Sequence, residues 1–324
     1  MPSPLILKFE NQARPARLRL PGVLICFLLA FQTHCLRAAE VTFSVATYNL
    51  ENYFDQPSGN RPAKPPESKA AVRTSIGALR PDVLALQEVG STNALLELRA
   101  ALKSDGLDYR FWEHVSGWDT NIHVAILSRF PILAHRPHTD GSFLLRGRRF
   151  HVSRGFAEVD IQVAPRYTFT LLSAHLKSRR PSPLADESDM REQEATLLRE
   201  IIDARLRENP AINLVVLGDF NDVKDSRSTK IILGSRSRAL VDTRPTEGPV
   251  LPHSIPASRA GSRTVSWTHY YAKEDTYSRI DYILLSPGMA REWKPDGTYV
   301  QSRPDWGLAS DHRPIIALFV AEDR

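Results

Sequence analysis

The chain has 324 residues, 42% hydrophobic and 24% charged, a balance that excludes a disordered protein and suits one large domain or two ordinary ones. Its formal net charge of +5 would by itself point to a nucleic-acid partner. Five basic residues and one acidic residue, however, lie in the first 38 positions, and the remainder balances 37 basic against 36 acidic side chains. Global charge therefore gives no argument for DNA once that segment is set aside.

In chain order, the first segment reads as an export signal. Lys8, Arg14, Arg17 and Arg19 precede the apolar run 22–31 (GVLICFLLAF), and the small residues Ala38 and Ala39 follow. The run is about half of the roughly 20 residues that a membrane span requires. A signal peptide over 1–38 and export to the periplasm or the exterior are expected. An uncleaved signal-anchor is the alternative, because Arg37 adjoins the cleavage site. Both cysteines, Cys26 and Cys35, fall in this segment, so the chain from 41 to 322 has no thiolate ligand, cysteine nucleophile or disulfide.

Short apolar runs then alternate with helical patterns. Residues 42–47 alternate like a strand, a proline-rich loop follows, and a helix is expected over 68–79. The continuous run 83–87 (VLALQ) suits a buried strand, with a second helix at 93–104. Further strands are expected at 123–127, 156–163, 167–173, 213–217, 282–285 and 315–320. The longest helix should span 186–208: its start is acidic, Leu197, Leu198, Ile201, Ile202 and Leu206 form a stripe, and Pro210 follows its end. Residues 244–266 read as a loop rich in proline and serine. Mingled strands and helices make a single α/β domain the simplest organisation.

Polar residues cluster at the ends of the strand-like runs, where a fixed backbone can hold a side chain in a cleft. Glu88 ends VLALQE, His175 ends TLLSAH, and Asp219 and Asn221 follow NLVVLG. Asp281 interrupts a hydrophobic strand; a carboxylate buried there costs several kcal/mol unless an arginine, histidine or metal meets it. Asp311 and His312 precede the last strand.

The ordered set Thr-Tyr-Asn49-Leu-Glu-Asn, Leu-Gln-Glu88, Ala-His175-Leu-Lys-Ser, Gly-Asp219-Phe-Asn221, Arg-Ile-Asp281-Tyr-Ile and Ser-Asp311-His312-Arg-Pro resembles the endonuclease/exonuclease/phosphatase family. That family includes deoxyribonuclease I-like nucleases, abasic-site endonucleases, sphingomyelinases and inositol polyphosphate phosphatases. The resemblance implies a four-layer α/β sandwich, two stacked mixed β-sheets flanked by helices, and a divalent-metal-dependent phosphoesterase. Hydrolysis of a phosphate ester needs a cation on the phosphate, a base for water and help for the leaving oxygen. Glu88, Asn49 and Asp311 are the expected ligands; oxygen donors without cysteine suit Mg²⁺ or Mn²⁺. The resemblance further implies that Asp281 orients His312, which serves as general base or electrostatic partner. Asp219 would position water or protonate the leaving oxygen, Asn221 would donate to a phosphate oxygen, and His175 would hold a non-bridging oxygen or act as the acid.

The substrate is less sharply marked. His175 resembles the deoxyribonuclease I and sphingomyelinase branches more than the abasic-site enzymes, and the Tyr277-Ser-Arg-Ile-Asp-Tyr segment lacks the Cys-Asp-Arg run of inositol phosphatases. No long aromatic hairpin of the sphingomyelinase kind is evident; Trp112 and Trp118 with Phe111 read as core or cleft wall. Lys177, Arg179, Arg180 and the cluster Arg146, Arg148, Arg149 and Arg154 could contact a phosphate backbone. An exported nuclease or phosphodiesterase acting on DNA or RNA as a monomer, without an obligate protein partner, is the reading favoured here. A phospholipid or sugar-phosphate hydrolase is the alternative, and a catalytically inactive binding module is the alternative of another class.

Overall fold

The computed structural model describes residues 41–248 and 265–322; the expected signal segment and most of the 244–266 loop lie outside the described residues. The chain begins with β1 (Val41–Tyr53), α1 (Pro66–Leu79), β2 (Val83–Val89), α2 (Thr92–Ser104), β3 (Phe111–Val115), β4 (His123–Ser128) and β5 (Ile132–His138). A hairpin of β6 (Ser142–Leu145) and β7 (Arg148–His151) leads to β8 (Phe156–Ala164), β9 (Tyr167–His175), α3 (Glu187–Glu208), β10 (Leu214–Asp219) and α4 (Arg227–Leu233). Then come β11 (Val241–Asp242), β12 (Thr246–Glu247), a hairpin of β13 (His269–Tyr271) and β14 (Thr276–Ser278), β15 (Asp281–Leu285), β16 (Trp293–Val300), α5 (Trp306–Ala309) and β17 (Ile315–Ala321).

One sheet runs β12-β16-β17-β1-β2-β4-β3 and the other β11-β15-β10-β9-β8-β5. Both are mixed: β1 lies parallel to β2 and β9 parallel to β10, while most other neighbours are antiparallel. The alternation of side chains across each strand explains the layers. Val45, Val83, Ala85, Val159, Leu171, Val215 and Leu217 point between the sheets and form one buried cluster. Their neighbours Ala46, Leu84 and Leu86 pack with Val72, Ile76, Leu95 and Leu98 of α1 and α2. On the far side Leu172, Leu214 and Val216 pack with Leu198, Ile202 and Leu206 of α3. Central strands are thus covered on both faces, so their sequences are continuously apolar, and the fold is the expected four-layer α/β sandwich.

The helices start where the local chemistry satisfies their first amides. Asp186 caps α3 by accepting hydrogen bonds from the amides of Ser188 and Asp189, and Ser91 caps α2 by accepting from Ala94. Prolines 65 and 66 open α1, where no amide is needed. The buried part of the α3 stripe, Leu198, Ile202 and Leu206, contributes about 1.5–3 kcal/mol per side chain through burial. Among the described residues no helix is long and apolar enough to cross a membrane.

The structure adds strands that the sequence pattern did not suggest. β3 and β5 are sheet edges, and β5 alternates half-buried with exposed residues and contains Pro137. β16 carries Pro295 and Gly297 at a break in its register with β17. Trp112 packs against the helix-side core as expected, but Trp118 is 69% exposed and stacks on His151 at 4.1 Å, so it is not core. A short hairpin, β13–β14, carries Tyr270 and Tyr277, stacked at 4.6 Å and flanked by Trp267 and Trp306. Its three-residue strands are too short to show a period.

Candidate active site

The register of one sheet sets three of the expected residues in a row. His175 ends β9, Asp219 ends β10 and Asp281 opens β15, and Asp219 lies opposite both of the others. Gly218 makes this row possible. Its φ of +131° is strained for any other residue, and a Cβ there would stand 1.9 Å from the carbonyl oxygen of Ala174. Gly218→Ala is expected to cost more than about 4 kcal/mol; urea unfolding checks this, and a loss below about 1 kcal/mol would show that the strands can part without cost.

His312 enters the row from the turn before β17. Its Nδ1 lies 2.9 Å from Asp281 Oδ2, and its Nε2 lies 3.8 Å from Asp219 Oδ2. His175 Nε2 is 3.5 Å from the same Asp219 oxygen. All four side chains are buried. The partner that a carboxylate inside an apolar strand demands is therefore His312.

Asp219 accepts hydrogen bonds from Asn49 Nδ2 at 3.0 Å, the Asn221 amide at 2.8 Å and Asn221 Nδ2 at 3.2 Å. Asn221 also donates Nδ2 to the Leu176 carbonyl at 3.0 Å. Both of its amide hydrogens are thus engaged, and Asn221 braces Asp219 rather than standing free to donate to a phosphate, as the resemblance implied. The cause lies in its backbone, which is left-handed at φ 54° and folds the side chain back onto β10.

Burial and neighbours separate the protonation states. Burial pushes Asp219 up to about 7, against the opposing pull of the His312 cation and its donors. For His312 burial works against the charge, but Asp281 and Asp219 outweigh it and hold the imidazole well above its usual value. His175 is held well below its usual value by burial and then by Arg154 and His312. One histidine is a cation and the other neutral, a division that assigns distinct proton-handling roles.

The opposing sheet supplies the acidic side of the site. β1 bulges between Asn49 and Tyr53, and Glu51, Asn52 and, on β2, Glu88 all take positive φ. The bulge connects the parts. The Asn52 amide donates to Glu88 Oε2, the Asp311 amide donates to Glu51 Oε2, and Ser310 Oγ donates to the Asn49 carbonyl. Glu88 Oε1 lies 4.0 Å from His175 Nε2 across the cleft. Lys64, buried, donates Nζ to the Glu51 carbonyl at 3.0 Å. Burial and the neighbouring Asp311 charge raise Glu51, while burial lowers Lys64 against the pull of Glu51, Asp311 and Glu88.

Lys64 feels the charge of Glu51, Asp311 and Glu88, and Asp311 has His269 and His312 beside it as well. The hard oxygen donors of Glu51, Glu88 and Asp311 are of the kind that a divalent cation takes. Asn49 can join with its Oδ1, which already accepts from the Glu51 amide and keeps a second lone pair. Glu51 was missed in the sequence because it lies inside a motif read for Asn49 alone. Arg154, expected with Arg146, Arg148 and Arg149 to contact a phosphate backbone, is instead buried, donates to the Leu176 carbonyl and depresses His175. Arg146, Arg148 and Arg149 are exposed, and Arg179 pairs with Asp222 at 3.0 Å.

Comparison with known proteins agrees with this fold. The Endonuclease/Exonuclease/phosphatase family matches residues 46–312. The chain belongs to that family. Solved structures with the same fold include truncated TDP2 of Caenorhabditis elegans, at 19% identity and a TM-score of 0.58, covering 86% of this chain and 98% of that one. The human Nocturnin catalytic domain with a bound sulfate anion is similar at 16% identity and a TM-score of 0.58, covering 87% and 98%. Sphingomyelinase C from Streptomyces griseocarneus is similar at 20% identity and a TM-score of 0.54, covering 87% and 100%. No curated protein matches the sequence. Members of the family are metal-dependent phosphoesterases, and the chain carries that phosphoesterase fold.

Proposed function

We propose that this family member is an exported, Mg²⁺- or Mn²⁺-dependent phosphodiesterase acting on nucleic acid. The observation that carries the reading is the buried row His175–Asp219–Asp281 with His312, facing the acidic group Glu51, Glu88 and Asp311 across one cleft. Asp219, with its value near neutrality, takes a proton from the water whose oxygen bonds to phosphorus, and as the P–O bond to the leaving group breaks it returns that proton to the leaving oxygen. His312, held by Asp281, presents its cationic face to the phosphoryl oxygens, and His175, kept neutral, holds a second oxygen. Glu88, Asp311 and Asn49 would hold a divalent cation, which would supply the charge neutralisation that phosphate attack requires. His312 is here the electrostatic partner, because a cation cannot serve as the base. The basic and apolar pattern of residues 1–38 supports export; N-terminal sequencing of the secreted form tests it.

A second reading, hydrolysis of a phospholipid headgroup, is favoured by the aromatic hairpin beside His312, where Tyr271 and Tyr277 are 41% and 56% exposed. One experiment separates the two: the protein is incubated with supercoiled plasmid, single-stranded oligonucleotide and sphingomyelin vesicles, with Mn²⁺ or Mg²⁺ and with EDTA controls. Metal-dependent nicking or oligonucleotide cleavage is the expected result. Intact nucleic acid together with metal-dependent phosphocholine release would replace the first reading by the second.

A further inference from the structure

Beside the oxygen-lined seat lies a second group with different donor chemistry. β13 begins at His269, which bridges to His312, and the hairpin is fastened to the Asp311–Arg313 turn from both sides. The Tyr270 amide donates to the Asp311 carbonyl at 3.0 Å, and the Arg313 amide donates to the Thr268 carbonyl at 2.7 Å. This brings the His269 and His312 rings to 4.5 Å between centroids. His269 Nε2 lies 3.7 Å from Asp311 Oδ2, and His312 Nε2 lies 3.9 Å from Asp311 Oδ1. One ligand atom from each of the three residues falls within 4.8 Å of the others.

We propose that His269, Asp311 and His312 bind a borderline transition-metal ion such as Zn²⁺, and that its binding shuts the enzyme off. Zinc bonds of about 2.0–2.2 Å in a tetrahedral arrangement place neighbouring ligand atoms a little over 3 Å apart, so a small closure of the hairpin completes the set. Two imidazoles and one carboxylate, with the fourth position open, suit Zn²⁺, whereas Glu51, Glu88 and Asn49 offer oxygen alone. The Asp281 carboxylate, 2.9 Å from His312 Nδ1, is the outer partner that metal-bound histidines commonly have, and it turns Nε2 toward the site. The site is open to solvent, since Asp311 keeps 41% of its side chain exposed. The carboxylates of Asp281, Asp219 and Asp311, at 2.9, 3.8 and 3.9 Å from the His312 ring nitrogens, attract a dication to this end of the cleft. Occupancy takes Nε2 of His312 and the carboxylate of Asp311 away from the phosphate and from Mg²⁺ or Mn²⁺.

Zinc binding itself does not depend on the proposed function; the loss of turnover rests on it. The full chain, stripped with EDTA and dialysed, is titrated with Zn²⁺ against a chromogenic chelator, alongside His269→Asn and His269→Gln. The expected result is a zinc equivalent in the wild type that both variants lose or bind about 10- to 100-fold more weakly. In Mn²⁺-driven hydrolysis of bis(para-nitrophenyl) phosphate, the variants should keep their turnover and lose sensitivity to Zn²⁺ by a similar factor. Equal zinc uptake by wild type and variants overturns the site. Lost uptake with unchanged zinc inhibition overturns the shut-off. If the wild type has no turnover, the proposed function fails, and the uptake comparison still decides the site.

Discussion

Asp219→Asn is expected to lower kcat by about 10²–10⁴-fold, the range for removing a general base, in Mn²⁺-driven phosphodiester hydrolysis. The substitution keeps the size of the side chain, and its carbonyl oxygen can still accept from the Asn221 amide, now 2.8 Å from Asp219 Oδ1. What it removes is a carboxylate whose proton affinity burial has moved to about 7. The wild-type rate should therefore rise as pH passes about 7, as the base form appears, and the variant should lack that limb. Stability runs the other way. The folded state binds this proton more tightly than the unfolded chain, so the group favours folding in acid, and that contribution is lost as pH rises from the ordinary carboxylate range through about 7. Asparagine has no buried anion to form, so its melting temperature should fall less than the wild type's between pH 5 and pH 8. A variant that keeps more than about a tenth of wild-type kcat would remove Asp219 from the proton transfer.

Asp281 carries the second large effect. Its Oδ2 holds His312 Nδ1 at 2.9 Å, and its charge is the first attraction that keeps His312 protonated inside the fold. Asp281→Asn should preserve the packing of β15 and lower kcat by about 10²–10⁴-fold, because the imidazole loses its charge and its enforced orientation. Asp281→Ala should in addition destabilise the fold by about 3–5 kcal/mol at pH 6, the cost of leaving a buried charge without its partner. The raised histidine contributes stability below its unfolded value, and that stability is lost as pH rises through the folded value. The alanine defect should therefore shrink in alkaline buffer. Parallel denaturant melts at the two pH values, read beside kcat, test this. A full-rate Asp281→Asn enzyme would mean that His312 needs neither the charge nor the hold.

Much of this arrangement is legible in the amino-acid order, for a physical reason. Strands covered on both faces must be apolar at every position, so 83–87 and 213–217 stand out, and a carboxylate at 281 beside such a strand must have a partner. The edges are silent because β5 needs only one covered face and tolerates Pro137. Roles set by backbone twist are silent as well. Asn221 turns back on Asp219 because of its left-handed φ, and Glu51 reaches the Asp311 amide only because β1 bulges. Nothing local marks Arg154 as buried or His269 as a neighbour of His312, since their partners come from distant parts of the chain. The segment order shows which residues end at the cleft, and the register shows which of them meet.

The central claim is that this cleft hydrolyses phosphodiesters with the help of a divalent cation, whatever the natural substrate. Turnover of bis(para-nitrophenyl) phosphate by the wild type, with Mn²⁺ and then with EDTA, and by Asp219→Asn with Mn²⁺, tests it most directly. The account predicts para-nitrophenol release that EDTA abolishes and that the variant lacks. Release that survives EDTA, or that the variant sustains at the wild-type rate, would contradict it.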